Sequence, residues 1–155
     1  MREGATLGAS WPVTGKDTDM DIRRLTDTIS VAPQIEPEDL RAIADLGFVA
    51  VIDNRPDDEV GPGHSSERMG QLAADAGLRF VYVPVHPGQF STALIDAFAA
   101  ALEEAEGPVL AYCRSGTRSA TVWALSQAGR LPAQDIIATA AAAGYDLSNI
   151  RPYLA

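Results

Sequence analysis

The sequence holds one cysteine, Cys113, and one lysine, Lys16. A single cysteine excludes an internal disulfide and any metal site built on several thiolates. It also excludes the simplest redox cycle, in which a second cysteine of the chain resolves the first. No apolar run approaches the roughly 20 residues that a membrane-spanning helix needs. The first twenty residues, MREGATLGASWPVTGKDTDM, lack a basic start followed by an apolar stretch. No signal peptide is read there, and a cytoplasmic protein without membrane contact is expected. Positive charge is scarce, with a formal net charge of -9, which argues against a nucleic-acid partner.

What is present is the composition of a globular domain. The chain has 155 residues, 46% of them apolar, enough for one compact core and too few for two ordinary ones. Residues 1–20 are rich in Gly, Thr and Asp and show no period. They read as a flexible extension, with Met20 an alternative start, and residues 21–155 read as one catalytic domain. Ile22 to Leu25 and Ile29 to Ala32 look like two short strands around a Thr-Asp-Thr turn. Pro37 opens a helix striped by Leu40, Ile43, Ala44 and Leu46. Phe48 to Ile52, Phe80 to Val85 and Val109 to Tyr112 are further strands, the first and last apolar enough to be buried on both faces. Helices are expected over Ser65 to Ala76, from Ser91 as its cap, from Thr117 to Gln127 and from Ala133 to Ala143. The tail from Asp146 to Leu154 reads as a last short helix. Strands alternating with helices predict an α/β fold, a mostly parallel sheet of four to five strands flanked by helices.

In such sheets ligands bind beyond the carboxyl ends of the strands. Three unusual segments sit there: Asp53 to Glu59, Val85 to Phe90, and Cys113 to Arg118. The last reads Cys113-Arg114-Ser115-Gly116-Thr117-Arg118, between a strand and a helix. A free thiol titrates near 8.5, and the thiolate is the nucleophile. A helix starting just beyond the cysteine aims backbone N–H groups and its dipole at the sulfur. Gly116 permits the tight turn such a ring of amides needs. Arg118 supplies a fixed charge and a planar fork for an oxyanion. Thr117 or Ser119 can offer a hydroxyl to the sulfur. Each lowers the thiol pKa, so thiolate at neutral pH is expected. The competing reading is a buried structural cysteine beside two exposed arginines, because cysteine is among the most often buried residues. The order strand, Cys, Gly, Arg, Ser, helix favours chemistry. A serine hydrolase is rejected, since no Gly-x-Ser-x-Gly elbow exists.

Several segments together resemble a known family: Val31 to Ile35 with Pro37 to Leu40, Val51 to Asp57, Val83 to Val85 with Pro87-Gly88, Tyr112 to Ser119, and Ala143 to Leu147. The chain resembles the β-lactamase-hydrolase-like phosphatase-like family, a small domain found alone or fused to metallo-β-lactamase-fold persulfide dioxygenases. The resemblance implies a fold like the dual-specificity phosphatases.

It leaves the reaction open. Protein-tyrosine-type phosphatases carry Cys, five residues, then Arg; here four residues separate Cys113 from Arg118, as in rhodanese sulfurtransferases. The shorter ring suits one outer sulfur better than a phosphoryl group. The loop from Val85 to Phe90 also lacks the aspartate that would protonate a leaving oxygen. His86 could serve instead, or Asp53 or Asp57 from a neighbouring strand end. The sequence alone thus favours a sulfurtransferase in which Cys113 carries a persulfide between an anionic donor and a thiol or cyanide acceptor. Thiosulfate or a glutathione persulfide fits as donor. A phosphatase working through a Cys113 phosphocysteine is the alternative, and a non-catalytic persulfide-sensing module is a second. Arg114, Ser115, Gly116, Thr117 and Ser119 form the expected anion loop, and Arg114 and Arg55 could hold the anionic part of the donor. No cofactor or metal is called for. A persulfide dioxygenase or another sulfide-oxidation protein is the expected protein partner. His64 reads as an exposed loop residue, and Trp123 and Tyr145 as core.

Overall fold

The computed structural model describes residues 20–154. The extension expected over residues 1–20 lies, apart from Met20, outside them. Five strands form one sheet: β1 (Arg23–Arg24), β2 (Ile29–Ala32), β3 (Ala50–Asp53), β4 (Arg79–Tyr82) and β5 (Val109–Tyr112). Their order across the sheet is β1-β2-β5-β3-β4. β1 runs antiparallel to β2, and every other pairing is parallel. The helices are α1 (Asp39–Asp45), α2 (Ser66–Asp75), α3 (Thr92–Glu104), α4 (Thr117–Ser126) and α5 (Ala133–Ala142). No helix among the described residues is long and apolar enough to cross a membrane.

The two central strands, β3 and β5, are buried at every residue. Alternating side chains point to opposite faces, and the sheet therefore has two cores. Ile29, Val31, Ala50, Ile52, Val109 and Ala111 face Phe98, Ala120, Trp123 and Ile136 from α3, α4 and α5. Ala32, Val51, Leu110 and Tyr112 face Leu40 and Ile43 of α1 and Met69 and Ala73 of α2. Helix starts follow local chemistry: Ser65 accepts the Arg68 amide to open α2, and Ser91 accepts the Leu94 amide to open α3.

Element boundaries moved where pairing overrode hydrophobicity. β3 begins at Ala50 rather than Phe48, although the Val49 N–H already donates to Pro108 O at 2.9 Å just ahead of β5. It extends to Asp53, whose neighbours in the ladder are Tyr112 and Tyr82. β4 ends at Tyr82, before Pro84, which has no N–H to give. The tail from Ser148 to Tyr153 is a 3-10 helix.

Candidate active site

β5 delivers Cys113 to the carboxyl edge of the sheet, where its amide still bonds Ala32 O at 3.3 Å. The side chain is fully buried. Three residues on, Gly116 adopts a left-handed backbone (φ 92°) and turns the chain into α4. That turn brings the Gly116 N–H onto Cys113 Sγ at 3.1 Å. A ten-residue helix begins at the next residue and directs its amino end toward the sulfur. The loop is fastened to the end of β2 by Gln34 N–H donating to Arg114 O at 3.2 Å. The side chains of Arg114, Ser115 and Thr117 stand exposed, with Ser115 Oγ donating to Thr117 Oγ1 at 3.2 Å.

Arg118 leaves the first turn of α4 and joins all three strand-end segments. Nη1 donates to Glu59 Oε2 at 2.9 Å and to Val85 O at 2.7 Å, and Nη2 donates to Glu59 Oε1 at 2.9 Å. Five N–H donors fan out from a guanidinium in a plane. With the end-on edge occupied by Glu59, the side edge, Nε–H and one Nη2–H, has no partner among the described residues and suits a bidentate oxyanion. The Arg118 bond holds the Glu59 carboxyl below its ordinary value, with Arg55 adding to the effect. Arg55 Nη2 donates to Glu59 O at 3.1 Å and Nη1 to Gln34 Oε1 at 3.0 Å. Arg55 Nε also donates to Glu59 Oε1 at 3.4 Å, so one carboxylate contacts two arginines.

The other expected site residues divide. His86 and Asp58 form an exposed pair, Nε2 to Oδ2 3.2 Å, on the segments flanking Val85 and Glu59. Asp57 is structural: both its oxygens hold Ser66 at 2.7 Å at the start of α2, and its amide donates to Tyr82 Oη at 2.8 Å. Asp53 is buried in a row with Tyr82 and Tyr112, and one oxygen accepts the Arg55 amide at 2.9 Å. Burial pushes its carboxyl up to about 7, against the pull of that amide. The buried Tyr112 hydroxyl beside it makes no well-formed hydrogen bond among the described residues. Ser119 corrects an expectation. Its hydroxyl donates to Asn54 Oδ1 at 2.8 Å and so is not directed to the sulfur. Asn54 in turn donates from Nδ2 to Val83 O at 2.8 Å, which ties α4 to β3 and the chain after β4.

Sequence reasoning missed Glu59, Gln34 and Asn54 as site builders. Glu59 is separated from Arg118 by 59 positions, and no local pattern announces that contact. Its only local signal is the spacing from Arg55, four residues earlier, which suits an ion pair.

Comparison with known proteins places this geometry in context. The family model described as beta-lactamase hydrolase-like protein, phosphatase-like domain, matches residues 21–130. A beta-lactamase hydrolase-like protein of Agrobacterium fabrum is 35% identical over 128 residues, 80% of this chain and 29% of that protein. The chain thus spans under a third of that relative, and the activity of the whole relative does not transfer to it. A crystal structure from Neisseria meningitidis, described as a phosphatase by assignment only, is 35% identical with a TM-score of 0.76, covering 87% of this chain and 96% of that one. Kinase-associated phosphatase, with serine replacing its catalytic cysteine, is 12% identical with a TM-score of 0.69 over 86% of this chain and 89% of its own. That likeness shows the fold alone, which is dual-specificity-phosphatase-like.

Proposed function

The chain belongs to the phosphatase-like domain family of beta-lactamase hydrolase-like proteins, and from that premise we propose that it is a cysteine-dependent hydrolase of phosphate monoesters. The observation that carries the proposal is the Gly116 amide on Cys113 Sγ at the head of α4, with Arg118 in the same loop. The 35% identity to the Neisseria meningitidis protein, over nearly all of that chain, supports this reaction over the sulfur transfer favoured by loop length.

In the proposed reaction the Cys113 thiolate attacks phosphorus and the ester P–O bond breaks. Loop amides and the free edge of Arg118 take the non-bridging oxygens as charge builds on them. The leaving oxygen receives a proton from the His86–Asp58 pair, which borders the segments that hold Arg118. Water then attacks the phosphocysteine, releasing phosphate and restoring the thiolate. Glu59 orients Arg118 without touching the substrate.

Sulfur transfer stands as the second reading on one observation, the four residues between Cys113 and Arg118. There the thiolate takes the outer sulfur of thiosulfate, sulfite leaves, and the persulfide passes to a thiol or cyanide. Parallel assays separate the two. Phosphate release from an aryl phosphate, abolished by Cys113→Ser, is expected. Thiocyanate formation from thiosulfate and cyanide, with no phosphate release, would overturn the proposal.

A further inference from the structure

Tyr145 follows α5 and is part of the core, as expected, and its hydroxyl end reaches the cysteine loop. A β-carbon placed on Gly116 would collide with Tyr145 Oη and come within 3.1 Å of Cζ. The phenol therefore closes on the bare α-carbon of the residue whose amide meets Cys113 Sγ. The side chain is nearly buried. The ring is clamped from outside. The Arg23 guanidinium lies 5.6 Å from its centroid, and Arg23 Nη1 donates to Ala143 O at 3.0 Å. Asp21 fixes the same guanidinium through Nε at 3.1 Å and Nη2 at 3.0 Å. An aromatic ring under a cation and wedged against a loop has little freedom.

We infer that Tyr145 is a positioning residue of the cysteine loop, whose hydroxyl end, packed against the Gly116 α-carbon, holds the Gly116 amide on Cys113 Sγ. Burial raises the Tyr145 hydroxyl above its ordinary value, against the opposing pull of the Arg23 cation, so it stays protonated at neutral pH. The inference deepens the proposed function, because it rests on Cys113 being a nucleophile. It does not depend on whether phosphorus or sulfur is attacked.

The test is the pH dependence of Cys113 alkylation by iodoacetamide, in which the thiolate displaces iodide from carbon. Tyr145→Phe deletes one oxygen and keeps the ring. The expected result is an upward move of the pH midpoint by about one unit, hence about tenfold slower alkylation below the midpoint, with the alkaline plateau unchanged. A midpoint identical to wild type in folded Tyr145→Phe would overturn the inference. Arg23→Leu provides a second reading, since it frees the ring from a half-exposed position. It should move the midpoint the same way, and no movement in either variant contradicts the role. A lower melting temperature without a midpoint change would make Tyr145 structural only. Phosphate release is measured separately, so failure of the phosphatase reading leaves the alkylation result intact.

Discussion

Asp53 and Glu59 sit six residues apart, yet their environments push their carboxyls in opposite directions. Asp53 is buried, and its folded value near 7 exceeds the ordinary 3.8. The folded state then keeps a proton that the unfolded chain has lost, so Asp53 reduces stability as pH rises from about 4 to about 7. Asp53→Asn removes that dependence. Urea unfolding at pH 5 and pH 8 should show the variant gaining on wild type at the higher pH, by about 2–3 kcal/mol, since the unfolded carboxyl has already lost its proton at pH 5. Parallel changes in both proteins would show that Asp53 is not protonated in the fold. Glu59 has the reverse sign. Its folded value is lowered, so its contribution is present above the unfolded value and lost as pH falls through the folded one. Glu59→Gln keeps the shape and removes the charge that orients Arg118. It should lower kcat/KM about tenfold or more while the protein stays folded, and unchanged kinetics would remove Glu59 from the account. Neither behaviour was legible in the sequence. Both carboxylates stood in one acidic run, and only the fold places one in the sheet and the other between two arginines.

At the scale of elements, the strand-to-helix turn at Gly116 was legible. An apolar strand, a cysteine, a glycine and a helix-forming run specify it locally. What surrounds the turn was not, because Tyr145 approaches from the far side of α5. Two glycines separate the contributions. Gly77 has φ 84° and open space for 4 Å around the place a β-carbon would take, whereas Gly116 has φ 92° and the Tyr145 hydroxyl in the way. Gly77→Ala should cost about 1–2 kcal/mol, the strain of a left-handed alanine. Gly116→Ala should cost at least about 1 kcal/mol more and slow Cys113 alkylation as well. Equal losses in thermal or denaturant melts would mean that the Tyr145 contact yields without cost. Ser119 illustrates the limit of reading a loop alone. Its place beside Arg118 suggested a donor to sulfur, but Asn54, from a different strand end, takes that hydroxyl.

Across the whole molecule, the parallel sheet gathers its function at one edge. The segments after β3, β4 and β5 meet at Arg118, through Glu59 and Val85 O. Alternation of apolar strands and amphipathic helices was enough to anticipate that layout and the edge where the site would form. The reaction was harder to read, because loop length and overall kinship point to different substrates. Four spacer residues suggested sulfur, whereas the sequence relatives and their shared fold support phosphorus. The most direct measurement is the mass of the intact protein after a denaturing quench during turnover of an aryl phosphate. A single phosphoryl adduct on Cys113, absent from Cys113→Ser, is the predicted result. No adduct from the phosphate ester, but one added sulfur after thiosulfate that added thiol discharges, would contradict it.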